Sequence, residues 1–597
     1  MTRSYLSSLL VLSLFGFALL TFSCGGEAPS DSSDGSESVV YARLPAEPDR
    51  LNPLLSTSTY GRVINEQLFL SLLQYNSQTL VPEPQLAKAA PEVQNLEEGP
   101  YAGGVSYTYE IHESASWDNG SPITGHDFVF TLKALLNPKV ASAPFRPYFE
   151  FVEDVRVDAD NPKRFTVFVD KKYILSEAVI NSVQILPAYA YDPEGLMDDI
   201  ELTQLTDAEQ AAQLAEENEN LQAFAEAFNS PEMSREKERI TGSGAYRFER
   251  WETGQQIILE KKEDWWGEGM AEEFSVLQAE PDKLVFKIIP DPTASLAALK
   301  DGQVDVVAQI DAQDFTDLQA NEMVQEQFNL HSPPSFIYYY VAMNNRDPKL
   351  ADKRVRRAMA HLVDVDELIK TQFNGLAQRT IGPFHPTKPY YHDELPPIEF
   401  SPEKAKALLA EAGWEDTNGD GILEKNINGV NTPLEINFKI SSASKFAEKQ
   451  ALLFQDKARL AGVDVNLVPM EFTVLIQDAK NRDYEMYSSA WGQDPVVDDP
   501  KQLWHSESDT PSGGNRVSFI NARADSLIEA IRVTLDEEAR NQLYLEFQEL
   551  IYEEQPYIFL FSPFQRIAIS KDFTVEASAR RPGFFVNEFV KNDVATQ

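Results

Sequence analysis

From Val39 onward, short runs in which apolar and polar residues alternate are interleaved with stretches of helical period. "YTYEIH" at 107–112 and "RFTVFVD" at 164–170 put every second side chain on one face, as half-buried strands do. Between them, "GHDFVFTLKALL" from Gly125 has its apolar positions three to four apart and predicts a helix, with Asp127 near its positive end. "GSGAYRFERWETGQQIILEKKEDWW" at 242–266 predicts a hairpin turning at Thr253 and Gly254. Residues 200–239, with "TQLTDAEQAAQLAEENENLQAFAEAF", are rich in Ala, Glu, Gln and Leu and predict a surface helix or helical pair that looks like an insertion. No fixed-period repeat is visible, so the pattern as a whole predicts a mixed α/β architecture.

The chain has 597 residues, enough for two or three lobes, and its 43% hydrophobic content marks it as globular despite 36 prolines. A formal charge of -42 repels phosphate backbones and excludes nucleic acid as a partner; it suits a solvated surface or the steering of cationic solutes. The first residues change the picture more. Arg3, an apolar run to Phe22 and small residues around Cys24 fit an export signal, residues 1–23, while the length of the run also allows a membrane-spanning anchor. Cys24 is the only cysteine, so no intrachain disulfide is available, and it stands where a lipoprotein signal would be cut. Gly25, Gly26 and a Ser/Asp/Gly-rich stretch to Ser38 follow, as expected of an acylated cysteine on a flexible tether, residues 24–38.

Several chemistries lack their residues. The seven histidines have no zinc spacing, and no G-x-S-x-G elbow, H-E-x-x-H helix or P-loop is present. No helix is expected after Gly242-Ser243-Gly244, which predicts a tight turn rather than a phosphate loop. "DTNGDG" at 416–421 has the oxygens of a calcium loop at its first, third and fifth positions, but Ile427 occupies the twelfth, where a bidentate glutamate is needed; a hairpin turn is the expectation there. No metal and no cofactor is expected. A glycosidase-type carboxylate pair leaves no local motif, so an acidic hydrolase stays as the enzymatic alternative to a non-enzyme.

Six segments in order resemble one family. They are "EPDRLNPLLSTSTYGRVINEQLFLSLLQYN" at 47–76, "YTYEIHESASWDNGSPITGHDFVFTLKALL" at 107–136, "GSGAYRFERWETGQQIILEKKEDWWG", "YYYVAMNNRDPKLADKRVRRAMAHLVDVDELI", "SPEKAKALLAEAGWEDTNGDGILEK" and "WHS" at 504–506. The chain is similar to the bacterial extracellular solute-binding proteins of family 5, the peptide-binding lipoproteins of ABC importers. The resemblance implies a periplasmic-binding-protein type II fold, α/β, with two clamp lobes and a third domain. It partitions the chain into domain I (39–75, 186–334 and 563–597), domain II (76–185) and domain III (335–562).

It also implies ligand-binding residues. Family members that bind peptides place an aspartate three residues after a tryptophan to pair with the peptide α-ammonium, and Trp491 and Asp494 have that spacing. Counting back from "LWHS" gives a rival register, with Asp499 as the anchor and Asp498 beside it. Tyr338 and Tyr340 share one face of a strand at the cleft and Tyr339 the other; Asn344 is a candidate backbone-binding amide or a loop cap, and Trp504 a pocket wall or a packing residue. The implied protein is a monomer, anchored by lipid at Cys24 to a bacterial membrane, facing the periplasm or the cell exterior. It captures di- or oligopeptides, without enzymatic activity, and delivers them to an ABC permease. Nickel chelates, haem and oligosaccharides are the alternative solutes on the same fold.

Overall fold

The runs at 107–112 and 164–170 form the strands Val105–Glu110 and Arg164–Val169, which pair antiparallel with Tyr107 opposite Val167. The helix between them is Gly125–Leu136, started by a reciprocal cap: the Thr124 hydroxyl accepts from the first turn, and the Asp127 carboxylate accepts from the Thr124 N–H at 2.9 Å. The structure, a computed structural model, describes residues 37–511 and 513–592. The export signal, Cys24 and all but the end of the tether lie outside the described residues. Among the described residues, no helix is long and apolar enough to cross a membrane.

Three larger sheets organise the fold. A seven-stranded sheet runs Phe328–His331, Ile567–Ser570, Val306–Val307, Val39–Leu44, Lys283–Ile288, Gln256–Lys261 and Tyr246–Glu252. Its centre is the parallel pair Val39–Leu44 and Lys283–Ile288, with Ala42 opposite Phe286. A four-stranded sheet orders Glu92–Asn95, Val105–Glu110, Arg164–Val169 and Val152–Val157. A six-stranded sheet orders Ala377–Arg379, Tyr557–Pro563, Ile337–Met343, Met486–Gly492, Glu435–Ser441 and Asp464–Met470.

The six-stranded sheet is covered on both faces, which is why its central strand reads as a nearly continuous apolar run. On one face Val341 and Met343 join Ile436, Phe438 and Phe454. On the other, Tyr338, Tyr340 and Ala342 join Trp504, Phe519 and Tyr557.

The hairpin at 242–266 is Tyr246–Glu252 and Gln256–Lys261, with Gly254 in the left-handed region at φ 72° as its turn requires. Gly242 and Gly244 serve a close approach instead of the expected tight turn: a Cβ at Gly244 would stand 2.2 Å from the Gln67 carbonyl oxygen, and one at Gly242 2.0 Å from that of Leu68. Their lack of side chains lets this segment lie on the end of the helix Thr59–Leu68, where the Gly244 N–H donates to Leu68 O at 2.9 Å.

The stretch 200–239 contains the helical pair Ala208–Glu217 and Glu219–Phe228, capped by Asp207 and Asn218. Leu221, Phe224 and Phe228 are buried, and Phe224 meets Phe130 of the helix Gly125–Leu136 edge-on at 5.9 Å. The pair thus packs on that helix through one apolar face. At 416–421 the expected hairpin turn is displaced: the tight turn is Asn428-Gly429, between Glu424–Ile427 and Val430–Pro433, and "DTNGDG" forms the loop before it.

Replacing Gly244 by Ala should cost about 2–4 kcal/mol, because the only neighbour a Cβ meets first is backbone that cannot step aside. A fall in unfolding temperature of the variant checks this; an unchanged value would show that the helix end yields.

Candidate ligand site

The strand Met486–Gly492 lies between Ile337–Met343, antiparallel with Tyr338 opposite Trp491, and Glu435–Ser441, parallel. Past Gly492 the chain leaves the sheet through Gln493, whose N–H donates to Phe336 O at 2.7 Å and whose amide donates to Pro383 O and to the Asp498 carboxylate. The following residues turn around one buried cation. The Lys388 ammonium donates to Asp494 O at 2.7 Å, to Pro495 O at 3.2 Å and to Val496 O, and lies 3.4 Å from the Asp498 carboxylate.

The three aspartates of this loop have different surroundings. Asp498 is the inner one: it accepts from the Tyr390 hydroxyl at 2.7 Å, Tyr390 stacks on Tyr544 at 4.1 Å, and the Tyr544 hydroxyl donates to Asp498 O. Burial pushes its carboxyl up and the Lys388 ammonium down, and the attraction between them opposes both shifts. Asp499 accepts from the Tyr173 hydroxyl and from Arg532 Nε, each at 2.9 Å. Asp494 is the open one. Its side chain is 59% exposed and accepts no hydrogen bond among the described residues; Arg581 Nη2 stands 3.8 Å from it.

Asp494 lines a cavity of about 330 Å³ together with Glu66, Tyr75, Phe145, Phe149 and Arg580. Arg580 is paired with Glu66 at 2.7 Å, and among the described residues Arg581 is the one cation within 4.0 Å of the Asp494 carboxylate. Trp491 is half-buried and packs at the edge of the aromatic face of the sheet.

The other candidates lie elsewhere. Tyr338 and Tyr340 are in the core, not on a cavity wall: both are almost wholly buried, and Tyr340 stacks on Tyr557 at 4.2 Å, because that face of the sheet is covered by helices. Trp504 is a packing residue, buried against Tyr557 at 4.7 Å. Asn344 is a loop cap; its amide donates to Arg482 O and Tyr484 O, which leaves it no free donor for a ligand backbone. Lys388 and Arg581 were not anticipated. They stand 106 and 87 residues from Asp494 in sequence, and only the run "HPTKPYY", a lysine among prolines and aromatics, hints at a buried cation.

Among the described residues, two clusters bring possible ligand atoms within metal-binding reach of one another, Asp416 with Asp420 and Glu424, and His505 with Glu507 and Glu529. The first is turned on its own loop, with Asp416 accepting from Gly419 N and Gly421 N and Glu424 from Thr417. The second surrounds the Lys501 ammonium, 3.0 and 3.1 Å from its two glutamates.

Comparison with known proteins identifies the family. A family model described as bacterial extracellular solute-binding proteins, family 5 Middle, matches residues 82–514. The chain belongs to this family. It is a solute-binding protein whose fold has two lobes and an extra domain. It is 26% identical over 585 residues to the oligopeptide-binding protein AppA of Bacillus subtilis, covering 95% of this chain and 94% of that one. It is 24% identical over 547 residues to heme-binding protein A of Haemophilus influenzae, covering 88% and 87%. Among solved structures, AppA from Bacillus subtilis in complex with a nonapeptide superposes with a TM-score of 0.64 at 22% identity, covering 93% of this chain and 99% of that one. NikZ from Campylobacter jejuni in complex with Ni(L-His) gives 0.68 at 21% identity, covering 93% and 100%.

Two outcomes follow. Lys388→Met should cost about 3–5 kcal/mol, since it leaves Asp498 buried without its cation and three carbonyls without a donor; denaturant unfolding of the variant reads this. His385, which sits between Thr387 and Ser562, is held down to about 4 by burial. Its folded value lies below the unfolded 6.5, so the unfolded chain binds the extra proton and stability is lost as pH falls from 6.5 toward 4, by about 3 kcal/mol. The stability of His385→Gln should fall less steeply than that of the wild type across that window.

Proposed function

We propose that this protein captures a di- or oligopeptide in the cleft between its lobes, with Asp494 as counter-ion of the α-ammonium, and delivers it to the permease of an ABC importer. The observation that carries this reading is the contrast among the three aspartates: Asp498 and Asp499 have their charges met inside the protein, and Asp494 alone offers an open carboxylate on a fixed loop. An ammonium leaving water needs such a fixed anion with acceptors beside it. The relatives named as oligopeptide- and dipeptide-binding proteins support the class of solute. Trp491 contributes apolar wall next to the anchor.

The partition into domain I (39–75, 186–334, 563–597), domain II (76–185) and domain III (335–562) belongs to this reading. It is supported by the sheets, each of which takes nearly all its strands from one set of segments. The helical pair within 200–239 packs on a helix of the second set, so the addition bridges domains I and II. Cys24 acylation holds the monomer on the membrane, and closure of the lobes over the peptide is the signal the permease reads.

Titrating free and N-acetylated copies of one peptide into the protein tests the anchor. Acetylation and Asp494→Asn should each weaken binding at least thirtyfold, about 2 kcal/mol, and should not add; equal affinity for the two peptides would overturn it. For the tether, Cys24→Ser should move the protein from the membrane fraction to the soluble one, and retention of the variant on membranes would contradict acylation at Cys24.

A further inference from the structure

A second cavity, of about 750 Å³, adjoins the first and shares Tyr75, Pro495 and Val496 with it. Its walls come from two parts of the chain: the segment 75–181 supplies Tyr75, Tyr107, Tyr173 and Glu177, and the segment 336–541 supplies Tyr390, Arg540 and Asn541. The two parts are joined at the edge of the cavity, where Ile174 N–H donates to Arg532 O and Tyr173 to Asp499.

Two charges of opposite sign line this volume without compensation. The Glu177 carboxylate has no cation within 4.0 Å among the described residues; the Asn181 amide is its partner, and burial raises its pKa. Phenols surround it. Tyr75 and Tyr107 are each pushed up to about 12, by burial first and by Glu177 next. Arg540 is 9% exposed. Its Nη1 donates to Thr534 O and Leu535 O, its buried Nε has no acceptor, and no carboxylate lies within 4.0 Å of it among the described residues. The neighbouring Asn541 Oδ1 is also buried without a donor. Lys388 is committed to the loop carbonyls and Asp498, and Glu537 is exposed at the rim.

Isolated charges in a buried wall are costly unless a partner of opposite sign meets them. Here the anion has aromatic rings beside it, which also attract cations, and the cation keeps its Nη2 for an incoming carboxylate, with no bond to that nitrogen among the described residues. A single group bearing both signs satisfies the two walls at once.

We propose that the larger cavity is a second compartment of the ligand site and takes a basic residue at the carboxyl end of the peptide, its carboxylate on Arg540 and its cationic side chain on Glu177. The inference rests on the peptide reading above. A volume of this size lies in the range of ligand cavities, and the residues it shares with the Asp494 cavity put the two side by side.

Calorimetric titration of peptides that differ only at their last residue tests this: lysine or norleucine, each as free acid or amide, against the wild type, Glu177→Gln and Arg540→Gln. The wild type should prefer lysine over norleucine, and acid over amide, by about tenfold in each case. Glu177→Gln should erase the first preference and Arg540→Gln the second. Equal binding of lysine and norleucine peptides, or of acid and amide, by the wild type overturns the proposal without any variant, as does either preference surviving its variant. If N-acetylation still weakens binding while these pairs bind alike, the second compartment falls and the Asp494 anchor stands; if no peptide binds, both fall.

Discussion

A lysine ammonium taken out of water must find acceptors for three N–H bonds, and Lys388 finds them on the backbone that follows the strand Met486–Gly492 of the six-stranded sheet. That requirement shapes the loop. The carbonyls of Asp494, Pro495 and Val496 converge on one point, so the chain must turn there, and Pro495 brings no N–H that would need a partner of its own. Asp498 closes the charge balance, and the stacked pair Tyr390 and Tyr544 holds Asp498 in turn. The backbone of Asp494 is thereby fixed while its side chain stays open, the combination a binding carboxylate needs.

The same loop is touched from distant parts of the chain. Tyr173 donates to Asp499 and lies under the Arg532 guanidinium, 5.1 Å from its ring centre, and Ile174 beside it is buried in the aromatic cluster of the six-stranded sheet. Arg581 approaches Asp494 from the C-terminal segment. At 3.8 Å, with Asp494 largely exposed, this ion pair is worth at most about 1 kcal/mol. An ion pair this weak leaves the Asp494 carboxylate open to a cation that binds it more strongly.

Much of the fold was legible because it is written in local patterns. The alternation at 107–112 and 164–170, the capped helix from Gly125 and the hairpin around Gly254 each depend on residues close in sequence. The candidate site was legible only in part. The spacing of Trp491 and Asp494 pointed to the loop, but the choice among Asp494, Asp498 and Asp499 depends on Lys388, Arg532 and Tyr173, none of them a neighbour in sequence. The tyrosine strand misled for a related reason: alternation assigns faces, and a sheet covered on both faces buries either choice. Likewise Gly242 and Gly244 carry the signature of a turn, while their use is a contact with a helix end some 175 residues away.

The most direct test of the account is a crystal structure of the protein with a bound peptide that has a free amino terminus. The account predicts the peptide nitrogen within hydrogen-bonding distance of the Asp494 carboxylate, Arg581 moved away from it, and the Lys388 bonds to residues 494–496 unchanged. A peptide nitrogen bound at Asp498 or Asp499, or Asp494 facing solvent with the ligand in place, would contradict it.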